Sequence, residues 1–175
     1  MTMHTIKVQQ LSEEAFRKYG SYQDLTNNKQ MASRVITGDG SGNGGFYADL
    51  LWLDFDRAKN NPAVCVCHIK KSEKNIVKFL EYHQTTCEGL FPFDDDVVIF
   101  VGAPVAGELK VDNLEAFYIP KGTFVKINPL IVHGTQFPVH NDEAHLICLL
   151  PGRTFMNDKV ARSISDADEM AELVL

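Results

Sequence analysis

Two stretches of this chain hold residues whose types and spacing could do chemistry. His83 closes the apolar run Phe79-Leu80-Glu81-Tyr82, and Glu88 follows beyond the polar turn Gln84-Thr85-Thr86-Cys87. An imidazole and a carboxylate together suit a divalent transition metal. On a hairpin the two could point into one barrel mouth. The plainer alternative is a solvated turn carboxylate and a strand-end histidine with a local partner. The second stretch runs from Leu114 through Pro120-Lys121-Gly122 to Ile131-Val132-His133-Gly134. A Pro-x-Gly turn there separates two apolar strands, and His133 follows in an otherwise apolar run. A core histidine bonded to backbone is the plainer reading of His133, because intermediate burial is normal for this residue.

Other polar residues compete for attention. Lys126 interrupts Phe124-Val125-Lys126-Ile127, so alternation aims it away from its apolar neighbours. Facing a barrel interior it would be a cation for a substrate carboxylate; facing water it is an ordinary surface lysine. Tyr82 and Tyr118 could serve as hydrogen-bond donors. His140 and His145 flank the polar turn Asn141-Asp142-Glu143, where solvated side chains are the rule, although His145 begins an apolar strand. Cys65 and Cys67 share one strand face, but no second Cys/His pair lies at a finger-like distance, so they read as packing thiols. Cys87 adjoins Glu88 and could line the same pocket. His4 is expected to be disordered with the terminus.

The elements that would position these residues are mostly strands. Ile6 to Val8, 46–55, 63–69, 76–82, 97–101, 116–119, 124–127 and 145–150 are short, rich in β-branched and aromatic residues, and bounded by turn residues. Asn60-Asn61-Pro62, Asp94-Asp95-Asp96, Pro104 to Gly107 and Pro120-Lys121-Gly122 supply the turns. No helical pattern alternates with the strands, which argues against a parallel α/β sheet and for an antiparallel sandwich or barrel. Near the N-terminus Ser12 can cap a short helix through Glu13 and Glu14 that Gly20 can end. The tail from Ser163 to Val174 has a cap, acids and an Ile/Met/Leu spacing that fit a second short helix. Five glycines between positions 38 and 45 mark a flexible loop. That loop lacks the Gly-Lys-Ser/Thr of a phosphate loop.

With 175 residues the chain is long enough for one domain, residues 1–175, and needs neither disulfide nor metal to fold. Its net charge of −6 and the absence of a Lys/Arg cluster argue against a nucleic-acid partner. The N-terminal stretch lacks the apolar core of a signal peptide, and no apolar run approaches the roughly 20 residues of a membrane span. The expected compartment is the cytoplasm, with the four cysteines reduced.

Taken together, the two stretches resemble the cupin superfamily, and more closely its ureidoglycolate lyase (ureidoglycolate hydrolase) family. Leu11-Ser12-Glu13-Glu14-Ala15-Phe16, with Tyr19-Gly20, is similar to that family's N-terminal signature. The His83 segment ending at Pro92 is similar to its histidine-bearing strand and turn. Val97 to Pro104 is similar to its apolar strand ending at a proline, and Leu114, Ala116, Phe117, Gly122 and His133 to its second motif. The family usually has a tryptophan beside the second-motif histidine, where this chain has Val132 and Gly134. Many members have Gln where this chain has Glu88, which makes the site more like that of a generic metal cupin. The segment 38–75 is also longer than the family needs.

The resemblance implies an all-β, cupin-type antiparallel β-barrel (jelly roll) with short N- and C-terminal helices. It implies a divalent transition metal (nickel, manganese or zinc) held by His83, Glu88 and His133. Glu88, if not a ligand, and Lys126 would be the catalytic side chains. The substrate would be a small ureido- or hydroxy-acid, with ureidoglycolate cleaved to glyoxylate and urea in allantoin breakdown. A metal-dependent sugar-derivative isomerase or epimerase, and a non-enzymatic ligand-binding cupin, are the alternatives. A homodimer is expected, because exposed edge strands of small barrels are commonly covered by a second copy.

Overall fold

The structure, a computed structural model, describes residues 3–31, 35–37, 45–55 and 59–175. Along the chain come β1 (His4–Gln10), helix α1 (Glu13–Phe16), β2 (Gly20–Asp24), α2 (Asn28–Met31), β3 (Val35–Thr37) and β4 (Phe46–Tyr47). Then follow β5 (Pro62–Lys70), β6 (Asn75–Val77), β7 (Phe79–His83), β8 (Glu88–Pro92), β9 (Val97–Val101), β10 (Glu115–Ile119) and β11 (Thr123–Ile127). The chain finishes with β12 (Phe137–Pro138), β13 (Glu143–Pro151), α3 (Thr154–Asn157), β14 (Lys159–Ser163), a 3₁₀ turn (Ala167–Glu169) and β15 (Ala171–Val174).

A six-stranded sheet in the order β12-β9-β10-β1-β15-β6 faces a five-stranded sheet in the order β2-β11-β8-β13-β5. Most pairings are antiparallel, but β1 runs parallel to both β10 and β15. Period-two alternation builds the space between the sheets. Val97, Ile99, Val101, Phe117 and Ile119 come inward from one sheet, and Leu90, Val125, Ile127, Leu146, Cys148 and Leu150 from the other. A second core covers the outer face of the six-stranded sheet, where Val98, Phe100 and Ala116 meet Leu80, Leu109, Leu114 and Val132. Strand β9 is therefore buried on both faces, which is why Val-Val-Ile-Phe-Val shows no alternation.

This is the all-β barrel class that the strand pattern implies, with short helical pieces near both ends. Several local expectations change. Of 46–55 only Phe46–Tyr47 is strand, and Trp52 is exposed. Gly20 opens β2 instead of ending α1, because a Cβ there would lie 1.8 Å from the Lys126 carbonyl oxygen. The tail forms one 3₁₀ turn and then strand β15, whose Ala171 and Leu173 point inward at period two. That spacing outranks the helical reading once β1 and β6 are there to pair with it. His4 is ordered as the first residue of β1, opposite Ala171. The loop expected at 38–45 lies outside the described residues apart from Gly45. No helix among the described residues is long and apolar enough to cross a membrane.

Candidate metal centre

Three separate segments bring the candidate residues together. His83 is the last residue of β7 and Glu88 the first of β8. His133 sits in the link between β11 and β12. There Val132 bridges Gly102 while His133 bridges Glu81. Glu88 lies opposite Ile127 and Leu90 opposite Val125, so the Glu88 carboxylate faces the interior with these core residues. A Cβ on Gly134 would fall 2.6 Å from the Phe79 carbonyl oxygen, so the residue after His133 has to be small.

The geometry is convergent. Nε2 of His83 lies 3.0 Å from Glu88 Oε2, and Nε2 of His133 lies 3.1 Å from the same oxygen. His83, Glu88 and His133 are all buried, and one ligand atom from each falls within 4.8 Å of the others. Each imidazole is oriented by its other nitrogen. Nδ1 of His83 donates to the Asp158 carbonyl at 3.0 Å, and Nδ1 of His133 to the Ile131 carbonyl at 2.8 Å. Carbonyls only accept, so Nδ1 of each ring carries a proton, and Nε2 presents a lone pair when the ring is neutral or donates to Glu88 when the ring is protonated. The Asp158 carboxylate also binds the turn after His83, accepting from Gln84 N at 2.9 Å and from Thr85 N at 3.0 Å. On the far side the Cys148 thiol donates to Glu88 Oε1 at 3.5 Å.

Two imidazole lone pairs aimed at one carboxylate oxygen repel unless something positive sits among them. A proton supplies this in part. Burial alone would raise the Glu88 pKa, but the His133 charge and hydrogen bonds from His133 and His83 hold it well below the usual carboxylate range. Burial alone would lower His133, but the Glu88 charge and hydrogen bond push it up to about 8. Hydrogen bonding to Cys67, burial and the Glu88 charge push the Cys148 thiol up, so it remains a donor. A divalent cation is the other way to neutralise the cluster. Two imidazoles and a carboxylate, each with its outer atom already bonded, are a donor set that fits a transition metal.

Other expected site residues lie elsewhere. Lys126 is opposite Gly89 and Ser21, on the face of β11 away from the inward Val125 and Ile127. It therefore stands across the sheet from the Glu88 carboxylate, on the solvent-side alternative of the alternation argument. Cys65 and Cys67 pack against the inner core, as expected of packing thiols. Cys87 points its thiol to the Asp54 carbonyl, 3.6 Å away. His140 pairs with Asp96 at 2.9 Å, and His145 with Asp94 at 2.6 Å while stacking on His68. Tyr82 packs on the outer core, and Tyr118 bonds Asp96.

Sequence reasoning passed over Cys148, whose thiol meets Glu88, and three more residues beside the centre. Asp158 had no local signal, since it reaches His83 from 75 residues away. The Phe155 ring lies edge-on to His83 at 6.1 Å. Glu81 was legible in principle, two residues before His83 on one strand. Burial raises its pKa, with Glu88 adding to the effect and both imidazoles opposing it.

The chain matches the ureidoglycolate lyase family from residue 3 to residue 171. No protein of curated function matches it. Among solved structures it is similar to oxalate decarboxylase, in one structure concerned with the Mn(II) centres of the Bacillus subtilis enzyme and in another concerned with the substrate binding mode of oxalate decarboxylase. Each is 11% identical with a TM-score of 0.42, over 61% of this chain and 24% of the other. This chain thus spans about a quarter of their length, and so distant a likeness says nothing of its chemistry.

Proposed function

The chain belongs to the ureidoglycolate lyase family, and from that premise we propose that it is a metal-dependent lyase that cleaves ureidoglycolate to glyoxylate and urea. The observation that carries the metal dependence is the meeting of His83, Glu88 and His133 at one carboxylate oxygen. These three side chains would hold a nickel, manganese or zinc ion. Such an ion supplies Lewis-acid polarisation of a substrate oxygen.

The reaction breaks the bond between the carbinol carbon and the urea nitrogen. The carbinol O–H loses its proton as its oxygen becomes the aldehyde of glyoxylate, and the departing nitrogen gains one. The chain's part is to orient the acid and exclude water. Glu88 was expected either as ligand or as base. Its contact with both Nε2 atoms favours the ligand role. For the substrate carboxylate, Lys159 replaces Lys126 as the better cation. It lies opposite His83 on β14, with its ammonium 5.5 Å from the Phe155 ring centre.

A homodimer is part of this reading. Strand β5 is an edge of the five-stranded sheet, and its Val64 and Val66 are 73% and 62% exposed. Light scattering on the purified chain should give twice the monomer mass; a monomer at all concentrations contradicts the pairing. The activity is tested by supplying ureidoglycolate to protein loaded with nickel, manganese or zinc. Glyoxylate and urea in equal amounts are expected. Release of neither with any of the metals overturns the assignment.

A further inference from the structure

Glu81 is 9% exposed, and its Oε2 is fully buried with no hydrogen-bond partner among the described residues. A buried carboxyl oxygen without a donor costs free energy, and native structures rarely keep one without a use. Its position indicates the use. Glu81 and His133 exchange both backbone hydrogen bonds at 2.8 Å, so they form a directly opposed antiparallel pair with side chains on one face. His83, two residues along β7, shares that face. The carboxylate is thus flanked by two of the three candidate ligands, yet it stays outside the cluster that His83, Glu88 and His133 form. It is left as an acceptor at the edge of the centre. What it lacks is an N–H or O–H donor.

Resting on the lyase reading, we propose that Glu81 is a specificity-determining residue whose free oxygen accepts the terminal N–H of a ureido group. A buried acceptor of this kind selects for a donor, because an analogue with a methyl group there leaves the carboxylate unpaired. The two occupants differ by one group: a ureido acid ends in NH₂, whereas an N-acyl amino acid ends in CH₃.

The test uses the zinc-loaded full chain and two unreactive probes, N-carbamoylglycine and N-acetylglycine, with affinities measured by calorimetry. The wild type should prefer the carbamoyl compound by about ten- to hundredfold. Glu81→Met should abolish that preference and leave N-acetylglycine binding unchanged, while Glu81→Gln, which keeps a carbonyl acceptor, restores part of it. Glu81→Met should also melt no lower than the wild type, since it removes an unpaired buried polar group, and a large drop in melting temperature would make Glu81 structural. Zinc affinity, read by chelator competition, should be the same in all three proteins; its loss in Glu81→Met would make Glu81 a metal ligand and overturn the proposal. Preference surviving in Glu81→Met, or absent from the wild type, overturns it as well. Turnover of ureidoglycolate by the wild type reports on the lyase reading separately. Turnover with unchanged discrimination in Glu81→Met sinks the inference alone.

Discussion

His133 and Glu88 stand 45 residues apart in the chain, yet Nε2 of one lies 3.1 Å from Oε2 of the other, and both are buried. With no cation present, a proton on His133 holds this pair together. The His133 pKa is raised to about 8, above the ordinary value of about 6.5, so its contribution to stability is whole below about pH 6.5 and is lost as pH rises through about 8. Glu88 is depressed, so its contribution is present above the ordinary carboxylate value of about 4.3 and is lost as pH falls. Chelator-treated protein should therefore melt highest between about pH 4.5 and 6.5, and lower by pH 8.5. A metal must displace that proton, so metal affinity should climb over the same upper range. Melting curves in chelator that rise steadily to pH 8.5 would contradict this.

Asp158 couples α3 to the centre. Its carbonyl orients His83, and its carboxylate accepts from Gln84 N, Thr85 N and the Thr85 hydroxyl. Asp158→Ala should loosen the turn that separates His83 from Glu88, at a cost of about 1–3 kcal/mol in stability. Metal affinity should fall by up to about tenfold, because alanine keeps the backbone carbonyl that orients His83 and only the clamp on the turn is lost. Denaturant melts and chelator competition read the two effects. Unchanged metal affinity would show that the turn holds its shape without this clamp.

Lys159 and Lys126 make opposite predictions. Lys159→Met should raise the KM for a carboxylate substrate about tenfold or more with a smaller change in kcat, because a charge-assisted contact to the ground state is lost. Lys126→Met should leave both constants within about twofold, since its side chain stands across the sheet from Glu88. Steady-state kinetics on the two variants decide between them. A large effect from Lys126→Met would mean that the outer face of β11 belongs to the site.

Much of this was legible in the residues. Period-two alternation and turn residues located β5, β9, β10, β11 and β13 to within a residue or two, because those strands bury one or both faces. His83, Glu88 and His133 were visible as candidates from residue type. What sequence could not supply was direction. Lys126 sits in a well-read strand, but whether its face is inside depends on where Val125 and Ile127 go. The tail misled for a related reason. Ile, Met and Leu in a short window fit a helix face as well as a strand, and pairing of β15 with β1 decides between them. The sequence places Glu88 beyond the polar turn, with a solvated turn carboxylate as the plainer alternative; it opens β8, because the register with Ile127 extends the ladder one residue past Gly89.

A metal held by His83, Glu88 and His133 is tested most directly by elemental analysis of the tag-free protein beside His83→Ala and His133→Ala. About one transition metal per wild-type chain, with little or none in either variant, is the predicted result. A wild-type protein that carries no metal and takes up none from nickel, manganese or zinc solutions would contradict it.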